Sequence, residues 1–264
     1  MKQKPKLTIV KIGGKLLESE QLLAVTLQHF THLQGAKMLV HGGGKAADQW
    51  CTALGISPIM KDGRRITDAA TLEVVTMVYA GLENKKVVSQ LQALGCDAIG
   101  LSGADANSIL AHKRPVGVID FGFAGDIDFV NAPRLKTLLE IGLSPVFCAI
   151  THDGQGLLLN TNADTIAAEM AKALTEYFEV RLFYCFEKAG VLADPADEQS
   201  VIPQLDQFAY QSGKKAGTIA AGMLPKLDNA FAALNAGVYS VNIGNPASLA
   251  TAGGTNLALN TRTA

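Results

Sequence analysis

The chain has few cysteines, and neither they nor its histidines are spaced for a metal site. The four cysteines, Cys51, Cys96, Cys148 and Cys185, are widely scattered without a CxxC pair, and the five histidines form no HExxH-like cluster. Structural zinc sites and disulfide frameworks need ligands or thiols at short, recurrent spacings. We therefore expect reduced, mostly buried thiols and no metal held by the protein alone.

An excess of charge of either sign is also missing, as are long apolar runs. The formal net charge is -1, and no basic cluster or aromatic platform suggests nucleic-acid binding. No apolar run approaches the ~20 residues that span a bilayer, and no cleavable apolar segment follows the first residues. We expect a cytoplasmic protein that binds neither nucleic acid nor membranes.

Neither the P-loop nor the GxGxxG fingerprint occurs, but two other glycine turns do. Apolar segments at 7–12 and 38–40 end in VKIGGK (10–15) and VHGGGK (40–45), and each continues into a helix-like stretch. Backbone N–H groups at such strand-to-helix junctions bind anions. Lys11 and Lys15 add the positive charge that phosphoryl transfer needs. One such turn could be explained by solvated lysines, whereas two at strand ends favour a single phosphate-handling cleft.

Strand-like and helix-like runs alternate along most of the 264 residues, which indicates an α/β fold with a mainly parallel sheet covered on both faces. The predicted strands are 7–12, 37–40, 98–101, 145–150, 180–184 and 238–243. The predicted helices are 19–33, 45–54, a long region from a Thr67 cap to 94 with a break near Gly81, 131–141, 163–174 and 223–236. Hairpins are expected at the AspGly turns 62–63 and 153–154, and short β segments within 107–130.

Three further positions stand out, two of them as candidates for chemistry. Arg65, beside Arg64 on the first hairpin, could bind a carboxylate in bidentate fashion, although two surface arginines would explain the pattern as well. Lys226 stands in the first turn of a helix, where lysine is unfavourable unless an anion or solvent compensates. His41 is expected to hold the second glycine turn by hydrogen bonding rather than to react.

A polar cluster follows the apolar segment at 157–159. Asn160, Asn162 and Asp164 all lie at a strand-to-helix junction. Helix capping explains one polar residue there, and a carboxylate in the first helical turn is favoured by the helix dipole. Three polar groups are more than a cap needs, which favours a functional interpretation.

The motifs VKIGGK, VHGGGK, DGRRITD, LLLNTNAD and AGMLPK, in this order and spacing, resemble the amino-acid kinase superfamily, and within it the kinases of N-acylated glutamate. The resemblance covers nearly the whole chain. It implies a three-layer αβα sandwich with two lobes, at 1–175 for acylglutamate binding and phosphoryl transfer and at 176–264 for nucleotide binding. It also implies ATP-dependent phosphorylation of the γ-carboxylate of N-acetyl-L-glutamate in arginine biosynthesis, with Mg²⁺ held mainly by the nucleotide phosphates.

The resemblance also implies residue roles. Lys11 and Lys226 would neutralise the transferring phosphoryl group, Gly14 and Gly43 would donate backbone N–H groups, and Asp164 would orient both lysines. The substrate-binding residues would be Gly43, Gly44, Arg65 and Asn160. The nucleotide-binding residues would be Glu187, Gly190, Val191, Leu192, Thr218, Ile219, Ala220, Gly222, Met223 and Lys226.

Two segments depart from the pattern of the superfamily. CFEKAGV at 185–191 stands where a ThrAspVal-type run is usual, with Glu187 in place of the aspartate, and residues 218–222 lack a polar side chain often found there. Few residues precede the first strand, whereas arginine-inhibited members carry an extra N-terminal helix that builds hexamers. We therefore expect a homodimer that is insensitive to arginine.

Several alternatives stay open from the sequence. The acyl group could be succinyl rather than acetyl, since Lys61, Arg64, Arg65, Lys85 and Lys86 supply more cations than one α-carboxylate requires. Other kinases of the superfamily, acting on carbamate, aspartate, glutamate or UMP, are a second alternative. A catalytically silent small-molecule sensor is a third, although such a sensor would not need Lys11, Asp164 and Lys226 together.

Overall fold

The structure is a computed structural model that describes residues 3–61, 63–194, 196–219, 221–251 and 253–259. The strands are β1 (Lys6–Ile12), β2 (Ala36–His41), β3 (Ile59–Lys61), β4 (Arg64–Ile66), β5 (Ala98–Leu101), β6 (Ile109–Lys113), β7 (Gly125–Val130), β8 (Ser144–Phe147), β9 (Ile150–His152), β10 (Leu158–Asn160), β11 (Glu179–Cys185), β12 (Gln204–Asp206), β13 (Ser240–Gly244) and β14 (Thr255–Ala258). The α-helices are α1 (Gly14–Glu18), α2 (Glu20–Thr31), α3 (Gly44–Ala53), α4 (Ala69–Thr76), α5 (Asn84–Ala93), α6 (Ala132–Glu140), α7 (Ala163–Leu174), α8 (Gln207–Ala216), α9 (Leu224–Asn235) and α10 (Pro246–Thr251).

An eight-stranded sheet in the order β12-β14-β13-β11-β1-β2-β8-β5 forms the centre of the fold. Its strand pairs are parallel except β13 with β14. Ile12, at the end of β1, lies opposite both His41 of β2 and Cys185 of β11. The two glycine turns therefore leave the sheet side by side at its carboxyl edge, which is where parallel sheets bind ligands. The prediction of one cleft for both turns is confirmed.

Apolar side chains bury both faces of this sheet, so the protein has three layers. Leu7 and Ile9 of β1 belong to a cluster that also contains residues of α3, α4, α6, α7 and α9. Val10 and Ile12 point to the opposite face and join residues of α1, α2, α5 and α10. The alternation follows from the two-residue period of a strand, and it confirms the expected α/β fold. All four cysteines are buried and free, as expected.

A smaller sheet, in the order β10-β9-β6-β7, and the β3-β4 hairpin form the wall beside the carboxyl edge. The segment 121–123 ties the two together: Thr67 donates its N–H to the Phe121 carbonyl, Phe123 donates to the Thr67 carbonyl, and Asn160 donates to the Phe123 carbonyl. Gly122 has to be glycine, because a Cβ there would come within 2.1 Å of the Thr67 carbonyl oxygen. Asp62, half of the predicted AspGly turn, lies outside the described residues.

Three element predictions were wrong in detail. The cap of α4 is Asp68, whose carboxylate accepts from the Thr71 N–H, because Thr67 is engaged by the 121–123 segment. The expected break near Gly81 is a π-helical turn, 77–83, that continues from α4 into α5. The predicted strand 145–150 is divided between β8 and β9, which belong to different sheets. Sequence patterns also missed α8, α10, β12 and β14.

No helix in the described ranges combines the length and apolarity needed to cross a membrane.

Candidate active site

Two lysines and one aspartate, distant in sequence, meet at the carboxyl edge of the large sheet. Lys11 Nζ lies 2.8 Å from Asp164 Oδ1, and Lys226 Nζ lies 3.0 Å from both carboxylate oxygens. Lys11 comes from β1, Asp164 from the first turn of α7 and Lys226 from the first turn of α9. Asn162 caps α7 by accepting from the Asp164 and Thr165 N–H groups. The helix start thus sets the carboxylate between the two ammonium groups.

The charges of this trio are strongly coupled, because its side chains are only 10 to 14% exposed. Burial alone would raise the pKa of Asp164, but the charges of Lys11 and Lys226 and their hydrogen bonds hold it well below its usual range. Burial and the nearby Lys11 charge lower the pKa of Lys226, and Asp164 opposes that shift. With Asp164 ionised, two cations face one anion, and the surplus positive charge suits a phosphoryl group.

The second glycine turn approaches this trio through backbone that tolerates no side chain. Gly43 adopts φ +155°, and a Cβ there would lie 2.8 Å from a ring carbon of Tyr79. Gly44 begins α3, where the first N–H groups have no partner within the helix. Gly14, at the start of α1, lies beside Lys11 on the same cavity of about 380 Å³. The cavity combines these glycines with Lys11 and Asp164 of the trio, and Lys226 adjoins it through its bonds to Asp164, an arrangement that suits a phosphate group.

Arg65 is buried beneath this cavity, so its interpretation as a surface arginine is wrong. Its Nη1 donates to Asp48 Oδ1 at 2.5 Å, and its Nη2 donates to the Gly44 carbonyl at 2.9 Å. The Nε–H group is buried and has no partner among the described residues. A buried N–H without an acceptor costs about 1 to 3 kcal/mol, so a ligand carboxylate on the Nε side of the guanidinium would be favoured.

Asn160 lines the cavity opposite the glycines, with its orientation set by the wall. Its backbone N–H bonds to Phe123, and its side-chain Nδ2 donates to Thr67 Oγ1 at 3.0 Å. Asn162 is occupied as the cap of α7. All three polar residues of the cluster line the cavity, but Asn162 also has a structural role as the cap of α7.

The residues assigned to the nucleotide lie apart from this cavity, near the carboxyl ends of β11 and β13 and around the start of α9. Glu187 accepts from Lys15 Nζ at 2.6 Å, and this bond outweighs burial and lowers the pKa of Glu187. Gly190 is packed so that a Cβ would come within 2.7 Å of Thr255 Oγ1, and the Val191 N–H donates to that oxygen. Leu192 pairs with Val201, Thr218 and Ile219 follow α8, and Gly222 and Met223 precede α9. Ala220 lies outside the described residues.

Several contributors to the site were missed by sequence reasoning. Asp48 holds Arg65, Tyr79 packs on Gly43, and Thr67 orients Asn160. Tyr79 gave no signal, because it acts through a distant partner, and Thr67 gave a misleading one, because its residue type and position suggest a helix cap. Asp48 could have been suspected, since it is four residues after Gly44 and therefore on the same face of α3 as the glycine turn.

His41 is fully buried, and it is hydrogen-bonded to the second glycine turn, as expected. Its Nδ1–H donates to the Gly42 carbonyl at 2.8 Å, while Nε2 accepts from Asn84 at 3.0 Å. Burial lowers the pKa of His41 from 6.5 to about 4; the bond to Gly42 opposes this shift, and the charge of Lys11 adds to it. The imidazole is therefore neutral at pH 7.

This shift predicts a pH dependence of stability. His41 of the unfolded chain takes up a proton near pH 6.5, whereas His41 of the folded chain does so only near pH 4. The contribution of the neutral ring to the free energy of unfolding is therefore fully present above pH 6.5 and is lost as pH falls towards 4. At about 1.4 kcal/mol per pKa unit, the loss amounts to about 3 kcal/mol. Urea unfolding at pH 7 and pH 4.5 should show a weaker pH dependence for His41→Gln than for the unsubstituted protein. His112→Gln, at an exposed histidine, is the control, and equal slopes for all three proteins would contradict the prediction.

Comparisons with known proteins show what this chain is similar to. The sequence profile of the amino acid kinase family matches residues 6–245. An acetylglutamate kinase of Bacteroides fragilis is 52% identical over 256 residues, which is 97% of this chain and 98% of the relative. An acetylglutamate kinase of Parabacteroides distasonis is 53% identical over 90% of this chain and 93% of its own length.

Solved structures show the same fold at lower identity. The N-acetylglutamate synthase of Neisseria gonorrhoeae, solved with coenzyme A and N-acetyl-glutamate, superposes with a TM-score of 0.80 and 25% identity, covering 97% of this chain and 60% of that one. A carbamate kinase of Giardia superposes with a TM-score of 0.70 at 13% identity, covering 97% and 99%, and it supports the fold alone.

Proposed function

Because this chain belongs to the amino acid kinase family, we propose that it transfers the γ-phosphoryl group of ATP to the γ-carboxylate of N-acetyl-L-glutamate. The product is an acyl phosphate of the kind that feeds arginine biosynthesis. The single observation that carries the proposal is the Lys11–Asp164–Lys226 trio beside a cavity whose floor holds a buried arginine with an unpaired N–H. The relatives named acetylglutamate kinase support the same substrate.

The reaction needs little from the protein besides position and charge. A γ-carboxylate oxygen attacks the γ-phosphorus, the bond from phosphorus to the bridging oxygen breaks, and ADP leaves with the electron pair. The nucleophile is already ionised, so no protein base is required. Lys11 and Lys226 neutralise the transferring group while Asp164 keeps both in place, and backbone N–H groups of Gly14 and Gly43 complete the cradle.

Magnesium would be carried with the nucleotide. No group of three or more His, Cys, Asp or Glu side chains in the described ranges is placed to hold a metal ion. The donors at the cleft are ammonium and amide groups, which suit phosphate oxygens rather than a cation. Mg²⁺ bound mainly by ATP phosphates fits such a site, and it would neutralise part of the phosphate charge.

We place ATP against the nucleotide-binding residues predicted above, on the side of β11 and α9, and the acylglutamate against residues before 175. The two halves, 1–175 and 176–264, share the eight-stranded sheet through the pairing of β1 with β11. We further propose a homodimer in the cytoplasm with small molecules as its substrates. We propose that Lys226, which reaches Asp164 from the C-terminal half, contacts both the nucleotide and the transferring phosphoryl group.

Arg65→Lys should raise the Michaelis constant for the acylglutamate at least about tenfold while that for ATP changes little. A lysine cannot offer the planar pair of N–H groups that a carboxylate accepts, and its single nitrogen cannot occupy both the Nη positions that bond Asp48 and Gly44 and the Nε position on the other side of the guanidinium. Steady-state assays that vary one substrate at a time measure both constants. Arg134→Lys, on α6, is the matched control. Equal changes for both substrates, or none, would remove Arg65 from the acylglutamate site.

A second acceptor, N-succinyl-L-glutamate, is favoured by one observation. Arg64 lines the same cavity and is half-buried, and no ion pair of its side chain occurs among the described residues. Burial lowers its pKa, and the charge of Arg114 adds to that shift. A succinyl carboxylate could pair with this guanidinium, whereas an acetyl methyl group cannot.

We expect N-acetylglutamate to give the higher kcat/KM, and an ADP-release assay decides. The panel contains N-acetylglutamate, N-succinylglutamate, glutamate, aspartate, carbamate and UMP at several concentrations. A large preference for N-succinylglutamate that is lost in Arg64→Ala would overturn the acetyl assignment and would identify Arg64 as the residue that binds the succinyl carboxylate. Activity only with carbamate, aspartate, glutamate or UMP would refute an acylglutamate kinase altogether, and no activity with any acceptor would favour a sensor.

A further inference from the structure

Asn84 is a buried polar residue that the phosphoryl-transfer machinery does not use directly. It begins α5, it is 1% exposed, and its side chain joins three elements. Nδ2 lies 3.0 Å from His41 Nε2 and donates to the Val146 carbonyl at 2.9 Å, while Oδ1 accepts from Lys85 Nζ at 3.2 Å. Burying an amide is costly unless its groups are bonded, so this arrangement needs a reason.

These partners settle which way the amide faces. A carbonyl and an ammonium cannot exchange roles, so Nδ2 has to face Val146 and Oδ1 has to face Lys85. His41 Nε2 therefore meets a donor and acts as an acceptor. The proton of the neutral ring is on Nδ1, where it bonds the Gly42 carbonyl. Asn84 and Gly42 together fix both the tautomer and the orientation of the imidazole.

The surrounding backbone is shaped to admit Asn84. A Cβ on Gly100 of β5 would come within 1.9 Å of Asn84 Oδ1, so this position holds the one residue that lets the amide in. The π-helical turn 77–83 ends immediately before Asn84 and also carries Tyr79, which packs on Gly43. Such turns are frequent at functional sites. The segment 77–84 therefore supports the second glycine turn at two points, at Gly43 through Tyr79 and at Gly42 through Asn84 and His41.

The chain of contacts ends at the peptide that faces the cavity. The peptide between Gly42 and Gly43 is planar and trans, so its carbonyl and its N–H point in opposite directions. When His41 holds the Gly42 carbonyl from below, the Gly43 N–H has to point away from the buried ring. Gly42, Gly43 and Gly44 all line the cavity. The direction of an N–H group at the cleft is thus set by a ring that Asn84 holds.

We propose that Asn84 is a positioning residue for phosphoryl transfer, which through the His41 ring and the Gly42 carbonyl aims the Gly43 N–H at the transferring group. The inference rests on the proposed function, since it assigns that N–H a role in the transition state. Displacements near 1 Å in such donors cost about 100-fold in rate. Substrate binding also relies on Arg65, Asn160 and the nucleotide contacts, so it depends much less on the direction of this single N–H.

Two variants test the proposal in the full chain. Asn84→Leu removes the amide at similar volume, and Gly100→Ala drives the amide out without altering it. Both should lower kcat by about tenfold to 100-fold while the Michaelis constants for ATP and the acceptor change less than about threefold. Val87→Ala, on the same helix and fully buried, is the control for lost stability and should keep kcat.

The second readout is the nitrogen spectrum of ¹⁵N-labelled histidine, which does not depend on activity. In the unsubstituted protein His41 should carry its proton on Nδ1 with Nε2 as acceptor, and in both variants this signal should shift or broaden. A proton on Nε2, or normal kcat in either folded variant, would overturn the proposal. If acylglutamates prove not to be substrates, the proposed function fails separately. The variants are then assayed with the acceptor that the ADP-release panel identifies.

Discussion

Lys11→Ala and Lys226→Ala should each lower turnover by an amount equivalent to about 2 to 4 kcal/mol of barrier, with much smaller changes in substrate binding. Asp164 holds both ammonium groups in place, so they can act on the transferring group without being reorganised by it. They meet the negative charge that spreads over the transferring oxygens, and this charge distribution exists only during transfer. Steady-state kcat and the two Michaelis constants, measured on purified protein, give the comparison.

Lys172→Ala provides the matched control for both lysine variants. Lys172 lies on α7, the helix of Asp164, but it pairs with Glu169 at 2.6 Å and takes no part in the trio. It should retain turnover. Near-normal turnover in Lys11→Ala or Lys226→Ala would remove that lysine from the catalytic trio. A rise in Michaelis constants with unchanged kcat would make it a residue for binding alone.

Asp164→Asn should lose both turnover and stability. The substitution leaves two buried ammonium groups without their counter-charge, and breaking a buried ion pair in this way costs about 3 to 5 kcal/mol. Turnover should fall as well, because the lysines repel each other and leave their positions. Urea unfolding at pH 7 measures the first effect, and the ADP-release assay measures the second.

The pH dependence of unfolding separates charge from packing in this variant. Folding lowers the pKa of Asp164, so the ionised carboxylate stabilises the folded state. This contribution to the free energy of unfolding is fully present above the ordinary aspartate pKa and is lost as pH falls below that value. Asp164→Asn should abolish this acid-side loss. Asp228→Asn is the control, since its partner Lys214 is partly exposed and such a pair contributes about 0 to 1 kcal/mol. Equal stability of Asp164→Asn and the unsubstituted protein would show that the trio is not coupled as described.

Local patterns predicted the parts of the site that lie next to a strand end. Lys11, Gly43 and Asp164 were all found because an apolar run, a glycine or a cap marks where a strand becomes a helix. Their convergence could be inferred as well, since parallel strands end at one edge. The family resemblance supplied Lys226 and Arg65 with roles that periodicity alone could not give.

What the sequence did not reveal depends on contacts between distant segments. The burial of Arg65 follows from Asp48 and the Gly44 carbonyl, and neither is marked by any pattern around Arg65. Thr67 resembled a helix cap because its residue type and position suit one, but a tertiary bridge to Gly122 takes its backbone instead. The sequence did not predict the π-helical turn, because the spacing of its apolar residues differs too little from that of an α-helix.

The central position of β1 has a consequence for how the chain reaches this structure. β1 pairs on one side with β2, which follows soon after it, and on the other with β11, far along the chain. During synthesis the β11 side of β1 stays unpaired until Cys185 has left the ribosome, and an exposed apolar strand edge invites aggregation. Pairings so distant in sequence also slow folding. We therefore expect the pairing of β1 with β11 to be a late event. Catalytic competence comes later still, since Lys226 lies on α9, which follows β11 in the chain and has to pack on α7 to reach Asp164.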